Sequence, residues 1–205
     1  MLTCKYSKFS LPARITYLNC AYMSPLLKSV EKTGLRSLRL KRNPANIRPE
    51  DFFSITAELR IEFAKLINIT DPQRIAVIPS ASYGLATVTK NLNISRGQHV
   101  LVAAQQFPSN YYPWQRLCEE TGAEVKIVSP DKNFKDRGKN WNAKLLESIN
   151  TSTRAIAIAH THWEDGTKFD LEALRKRTKD VGALLIIDGT QSVGALPFEV
   201  QKIQH

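Results

Sequence analysis

Four polar stretches, each directly after an apolar run, contain side chains of the types that bind charged or planar ligands. They are residues 80–84 (SASYG), 105–110 (QQFPSN), 160–166 (HTHWEDG) and 188–192 (DGTQS). Serine hydroxyls and helix-terminal amides bind anions, an aromatic ring can stack on a planar group, and a carboxylate can pair with a cation. We therefore treat the four stretches as the candidate functional site.

The stretch SASYG joins a predicted strand to a predicted helix, where small residues let backbone amides approach an anion. Ser82 adds a hydroxyl donor, so a phosphate site is one interpretation. A serine that simply caps the helix is the other. The stretch matches neither the G-x-x-x-x-G-K-[ST] loop nor the G-x-G-x-x-G turn, and the two interpretations stay equally open.

The next two stretches offer one aromatic ring and two imidazoles. Phe107 could stack on a planar ligand, although a lone aromatic at such a place more often packs into the core. His160 and His162, two residues apart, point to opposite sides of an extended chain, so we expect no metal site. Either histidine could polarise a ligand or be a hydrogen-bonded structural residue. Residues 165–167 predict a turn.

Asp188 directly follows four aliphatic residues, a pattern that predicts a buried strand ending in an acid. Burial of that carboxylate is costly unless a cation or a hydrogen-bond donor meets it. A pyridinium nitrogen, a metal ion or an arginine would be such a partner, and Gln191 could donate to the same ligand. An aspartate that caps the turn over residues 189–194 explains the pattern equally well.

Short apolar strands alternate with helices of about ten residues after Arg74, which predicts an α/β fold. We expect an incomplete three-layer sandwich with a mostly parallel sheet covered by helices on both faces. Ligands of such sheets bind beyond the carboxyl ends of the strands, where the four polar stretches lie. The predicted strands are 74–80, 99–104, 123–129, 153–160 and 183–189, and two helices precede them, at about 26–40 and 50–66.

The composition is that of a globular protein, with 205 residues, 42% hydrophobic and 23% charged. No apolar run approaches the roughly 20 residues that span a bilayer, and the N-terminus has no signal-peptide core, so we expect no membrane association. The three cysteines are few and widely spaced, which favours neither a disulfide framework nor a zinc site. A reducing, cytoplasmic setting is therefore predicted.

The net charge of +10 raises the alternative of a basic protein that binds nucleic acid or an acidic partner. The densest cluster consists of Arg36, Arg39, Lys41, Arg42 and Arg48. No aromatic side chains are interleaved with it to stack on bases, so a solvated helix face is the favoured interpretation and nucleic acid is disfavoured.

Taken in order, the segments TYLNCAYMSP, SASYG, FPSN, HTHWEDGT and DGTQSVGALPFEV resemble the class V aminotransferase family. This family is a branch of the fold-type-I enzymes that use pyridoxal 5'-phosphate (PLP), and it includes cysteine desulfurases, kynureninases and isopenicillin-N-epimerase-like proteins. The D-x-x-Q-S-x-G segment is the most specific part. The resemblance implies an N-terminal arm and helix over residues 1–45 and an incomplete PLP-binding large domain over residues 46–205.

The resemblance implies a role for five residues. Ser82 and Tyr83 would hold the cofactor phosphate, and Phe107 would stack on the pyridine ring. Asp188 would pair with the protonated ring nitrogen, and Gln191 would approach the phenolic oxygen.

Four further residues are possible contacts. Trp163 falls at the position where desulfurases carry an asparagine, and His160, His162 and Asn110 lie in the same loops. The loop over residues 163–166 favours the epimerase-like and general aminotransferase members.

The lysine that forms a Schiff base with the cofactor is expected beyond this chain, so the catalytic residues are not assigned. Lys202 is the only lysine after Asp188 and is expected at the surface. The resemblance thus implies a fragment that is inactive alone, from an enzyme acting on a small amino-acid substrate and forming a homodimer when intact. A non-catalytic remnant of the enzyme fold is a third alternative, beside the basic binding protein.

Overall fold

A computed structural model describes residues 3–132 and 135–204 of the chain. Helices and strands alternate through most of it, as the apolar pattern predicts. The helices are α1 (Lys28–Leu40), α2 (Asp51–Leu66), α3 (Ala81–Lys90), α4 (Tyr112–Thr121), α5 (Arg137–Ser148), α6 (Leu171–Asp180) and α7 (Val200–Gln204), and the strands are β1 (His99–Ala103), β2 (Glu124–Val128), β3 (Thr153–Ala159) and β4 (Leu184–Asp188).

The chain divides into two compact units between Leu59 and Arg60. The first unit contains α1, none of whose side chains is buried, and its basic cluster lies on exposed positions. The proposed boundary at residues 45 and 46 stays a prediction. None of the helices within residues 3–132 and 135–204 is long and apolar enough to cross a membrane.

The second unit is built on a four-stranded parallel sheet in the order β2-β1-β3-β4. The central strands β1 and β3 are buried along their length, apart from a half-buried Arg154, because helices cover both of their faces. Helices α4 and α6 are each followed by a glycine in the left-handed conformation, Gly122 (φ 71°) and Gly182 (φ 71°), and the next strand begins within two residues.

Alternate side chains of the central strands enter two separate cores. Leu101 and Ile156 pack on the side of α5 and α6, whereas Val100 and Ala155 pack on the side of α3 and α4. Each core is anchored by a fully buried tryptophan, Trp141 in the first and Trp114 in the second. The predicted three-layer α/β architecture is confirmed.

Two expectations about strands were wrong. Residues 75–78, predicted as part of a strand, form no strand, because no strand among the described residues pairs with them in a hydrogen-bond ladder. Val77 in this segment is 51% exposed. Strand β4 is half-buried rather than buried, and its Leu184 is 45% exposed. The reason is that β4 lies at an edge of the sheet, where it has a neighbour on one side only.

Candidate functional site

The carboxyl ends of β1, β3 and β4 lie side by side, because the three strands are parallel neighbours in the sheet. Ala159 pairs with Asp188, and the amide of His160 donates a hydrogen bond of 3.0 Å to the carbonyl oxygen of Asp188. The loops that follow these strands therefore leave the sheet at the same side, beyond the carboxyl ends of the strands, where ligands of parallel sheets bind.

The two interpretations of SASYG, helix capping and anion binding, apply to two different serines at the start of α3. Ser80 is the cap: its Oγ accepts the Tyr83 amide at 3.1 Å, and its carbonyl oxygen accepts the Gly84 amide at 3.2 Å. The hydroxyl of Ser82 instead donates to Ser109 Oγ at 2.8 Å, across to the loop after β1. The capping bonds leave the amides of Ala81 and Ser82 at the helix N-terminus for an anion. Tyr83 is 57% exposed beside them.

Phe107 and Trp163 meet in an edge-to-face contact, with ring centroids 5.5 Å apart and an angle of 84° between the rings. Trp163 Nε1 also donates to the carbonyl oxygen of Gln105 at 2.8 Å. Both rings remain about half exposed, so Phe107 is not the core residue that a lone aromatic usually is. The structure thus brings the loops after β1 and β3 together around an accessible aromatic face.

His162, the residue before Trp163, is only 1% exposed. Its Nε2 is 3.1 Å from the Ala104 carbonyl oxygen, and its Nδ1 accepts the Glu164 amide at 3.4 Å. Because the Ala104 carbonyl oxygen can only accept, Nε2 is the donor of the first bond. The ring also packs against Trp141 at 5.0 Å between centroids, so His162 belongs to the supporting layer of the site.

His160 and Asn110 are also buried, at 6% and 0% exposure. The His160 ring packs edge-to-face on Phe198, and burial lowers its pKa, helped by the positive charge of Lys168. The imidazole is therefore neutral at neutral pH. Asn110 Oδ1 accepts the indole N–H of Trp114 at 3.1 Å. Both residues contact the core, whereas Trp163 stays accessible.

Asp188 caps the turn that follows β4 with one of its two carboxylate oxygens. Oδ1 accepts the Thr190 amide at 3.0 Å and the Thr190 hydroxyl at 2.5 Å. The turn is tight: a Cβ on Gly189 would lie 2.6 Å from Val193 Cγ2, so a side chain at position 189 would force Val193 to shift. Capping thus occupies Oδ1, and Gln191, half-buried, follows in the same turn.

Four contacts of the site were not anticipated from the sequence. They are the hydroxyl of Ser109, the carbonyl oxygens of Ala104 and Gln105, and the ion pair between Arg137 Nε and Asp165 Oδ2 at 2.7 Å. The sequence does contain a signal for the Ser109 contact, because Ser109 lies in FPSN, two residues after Phe107. The other contacts join segments far apart in sequence and leave no local pattern.

Lys202 is an exposed, charged residue, and the described residues form no metal-binding cluster. Lys202 Nζ lies 2.8 Å from Glu199, and this hydrogen bond raises the pKa of the exposed ammonium, so the group stays charged. Within the described part of the chain, no group of three or more His, Cys, Asp or Glu side chains is placed to hold a metal ion.

Comparison with known proteins identifies the family. A sequence model described as Aminotransferase class-V matches residues 42–205. The chain belongs to this family. The family resemblance is confirmed, and the cofactor of the family is pyridoxal phosphate, as expected.

The curated relatives are aminotransferases and cysteine desulfurases. An uncharacterized aminotransferase of Bacillus subtilis is 28% identical over 143 residues, which are 70% of this chain and 36% of that protein. A probable cysteine desulfurase of Methanothermobacter thermautotrophicus is 28% identical over 146 residues, which cover 71% of this chain and 35% of that protein. The chain therefore spans only 35–36% of the length of these relatives.

Solved structures show the same fold at lower sequence identity. A variant of C-DES with glycine covalently linked to its PLP cofactor superposes with a TM-score of 0.80 at 19% identity, over 98% of this chain and 54% of that one. A cysteine desulfurase of Escherichia coli, CsdA, gives a TM-score of 0.75 at 19% identity, over 89% of this chain and 47% of that one. The chain covers about half of each solved structure.

Proposed function

We propose that this chain supplies the cofactor-binding residues of a PLP-dependent enzyme that acts on a small amino-acid substrate. One observation carries the proposal: the start of α3 and the loops after β1 and β3 are joined by the Ser82–Ser109 and Phe107–Trp163 contacts, at the sheet edge where Asp188 ends β4. Donors for an anion, an accessible aromatic face and a carboxylate thus occupy one edge. This donor set fits the phosphate, the ring and the ring nitrogen of PLP.

The phosphate end of the cofactor would bind at the N-terminus of α3. The Ser82 hydroxyl and the amides of Ala81 and Ser82 are donors there, and the partial positive charge of the helix favours an anion. Tyr83 is exposed beside them and could add its hydroxyl, since its amide is already bound to Ser80.

The ring end would bind between Phe107 and Asp188. Phe107 would stack on the ring, and Gln191 would approach the phenolic oxygen. Because Thr190 holds Oδ1 of Asp188, the second oxygen would receive the ring nitrogen and keep a proton on it. When bound, PLP acts as an electron sink for bonds at the amino-acid α-carbon.

Two kinds of reaction on an amino acid are in view, transamination and lyase or epimerase chemistry. The relatives shift the emphasis within the family towards C–S bond cleavage. One solved neighbour is a complex of the cystine C–S lyase C-DES with cysteine persulfide, matched at a TM-score of 0.78 and 21% identity over 94% of this chain and 51% of that one. We therefore place cleavage of a cysteine or cystine C–S bond first among the reactions to test. A homodimer and a cytoplasmic location remain part of the proposal.

The experiment is a titration of the chain with PLP and with 4'-deoxypyridoxine 5'-phosphate, which cannot form a Schiff base. Near-ultraviolet and visible circular dichroism report the binding of either compound. We expect saturable binding of both, with competition by inorganic phosphate and weakening by Ser82→Ala. Binding that does not saturate, or that phosphate does not affect, would reject the proposal.

Borohydride reduction of the PLP-treated chain, followed by mass mapping, tests the position of the lysine. Because the Lys202 ammonium is held by Glu199, we expect no specific adduct on Lys202. A stoichiometric adduct there would assign the covalent role to this chain. Nucleic-acid binding that is tighter than PLP binding and falls steeply with salt would instead favour the basic binding protein.

A further inference from the structure

Two adjacent residues after β3 bond to two adjacent carbonyl oxygens after β1. His162 Nε2 contacts the oxygen of Ala104 at 3.1 Å, and Trp163 Nε1 donates to the oxygen of Gln105 at 2.8 Å. Consecutive side chains thus hold consecutive peptide groups of a neighbouring loop. We call these two bonds the strand-end clamp.

Gln105, the residue between the two clamped peptide groups, has an unusual backbone conformation. Gln105 has a φ of 52°, which places a residue with a side chain in the left-handed region that glycine favours. Such a conformation is strained for a residue with a side chain and persists where surrounding contacts hold it. The strand-end clamp supplies such contacts to the two peptide groups that flank Gln105. The bend at Gln105 in turn sets where Phe107 leaves the sheet.

Trp163 also contacts the residue that the bend presents. Its ring meets Phe107 edge-on at 5.5 Å, an arrangement that aromatic quadrupoles favour. The other two tryptophans, Trp114 and Trp141, are 0% exposed, whereas Trp163 is 46% exposed. Trp163 therefore contributes little to the core and is tied to Phe107 from both the backbone and the ring side.

We propose that Trp163 is a positioning residue for the cofactor: through the Gln105 carbonyl and the edge-to-face contact with the Phe107 ring, it holds Phe107 in place to stack on PLP. This inference rests on the proposed function, which places Phe107 against the cofactor ring. Desulfurases are expected to carry an asparagine at this position. Here the Trp163 indole acts through Phe107 and not through its own contact with the cofactor. His162, which is buried, holds the preceding peptide group through the Ala104 carbonyl.

Binding of 4'-deoxypyridoxine 5'-phosphate to variants of Trp163 tests the proposal. Trp163→Phe keeps a ring against Phe107 but loses the N–H, and Trp163→Ala loses both. We expect affinity to fall about 3- to 10-fold for the first variant, the effect of roughly one net hydrogen bond, and further for the second. Tyr112→Ala is the matched control, because Tyr112 is exposed and forms an edge-to-face pair with Tyr111 at 5.5 Å; its affinity should not change.

A double-mutant cycle separates positioning from direct contact. If Trp163 acts through Phe107, Trp163→Phe has no effect on affinity in a Phe107→Ala background. An equal loss of affinity in both backgrounds means that the indole contacts the cofactor itself, and this overturns the proposal. Affinity for inorganic phosphate alone should be the same in all variants, since the phosphate end lies on α3.

Hydrogen exchange without cofactor tests the strand-end clamp independently of PLP binding. The amides of Asn110 and Tyr111 donate to the carbonyl oxygens of Phe107 and Pro108, so their exchange reports the order of this loop. We expect exchange several-fold faster in Trp163→Ala than in the wild type. Unchanged exchange overturns the positioning role. Faster exchange in a chain that fails to bind PLP supports the clamp and rejects the proposed function, so the two failures are distinguishable.

Discussion

The hydroxyl of Ser82 donates a hydrogen bond of 2.8 Å to the hydroxyl of Ser109 and so joins the first turn of α3 to the loop after β1. Two residues earlier, Ser80 caps the same helix by accepting the Tyr83 amide. The two serines of one short motif therefore have separable roles, one in ligand binding and one in stability.

The serine pair gives the first prediction. Ser82→Ala should weaken the binding of PLP and of inorganic phosphate while changing the free energy of unfolding by less than about 0.5 kcal/mol, because Ser82 is exposed. Ser80→Ala should lower the free energy of unfolding by about 1 kcal/mol through loss of the cap. Urea denaturation and phosphate titration of both variants check this. A larger stability loss for Ser82→Ala than for Ser80→Ala contradicts the assignment.

The charge of Asp188 is the subject of the second prediction. Asp188→Asn should weaken PLP binding, because the ring nitrogen loses its anionic partner, but it should not affect a PLP analogue with carbon in place of that nitrogen. Isothermal titration with both compounds makes the comparison.

Asp170→Asn is the matched control for this charge. Asp170 caps α6 by accepting the Ala173 amide at 3.0 Å, and asparagine caps equally well, so neither ligand should distinguish that variant from the wild type. If Asp188→Asn weakened both ligands alike, the carboxylate would act on the turn and not on the ring nitrogen.

The third prediction concerns the exposure of the tryptophans. Trp163 is the one accessible tryptophan of the three in the chain. Acrylamide should therefore quench a large share of the tryptophan fluorescence of the wild type and only a small share of the fluorescence of Trp163→Phe. PLP should quench the same component in the wild type. Strong residual quenching in Trp163→Phe would show that Trp114 or Trp141 is open to solvent.

The fourth prediction concerns His99, which is buried in β1 and hydrogen-bonded through Nε2 to Thr153 Oγ1 at 2.8 Å. Burial lowers its pKa, and the charge of Lys126 lowers it further. The unfolded chain then binds more protons, so the stability that neutral His99 provides is complete above the unfolded pKa of about 6.5 and is lost as the pH falls towards the folded value.

His99→Gln should therefore flatten the dependence of stability on pH. Between pH 7 and pH 5 the slope of the unfolding free energy should decrease, by up to about 1.4 kcal/mol per pH unit for one proton. Urea titrations at several pH values measure the slope. His160, whose pKa is also lowered, should account for part of the slope that remains, and an unchanged slope in His99→Gln would contradict the prediction.

Several elements could be predicted because their signals are local. The apolar runs of β1 and β3 and the glycines after α4 and α6 mark strands and helix ends within a few residues. The segment 75–78 carries the same apolar signal and yet is unpaired, because pairing also requires a neighbouring strand, which composition cannot report. The half-exposure of β4 has the same cause, its place at the edge of the sheet.

The sequence by itself determined the α/β class, the parallel sheet and the four stretches at its carboxyl edge, since side-chain periodicity and turn residues act over short distances along the chain. It also left open whether SASYG binds an anion or caps a helix, and whether Phe107 packs inwards. Only the tertiary structure decided that Ser80 caps α3, that Ser82 reaches Ser109, and that Trp163 holds Gln105 and Phe107. The physical reason is that the last two contacts join residues 27 and 58 positions apart, which meet only when parallel strands place their ends together.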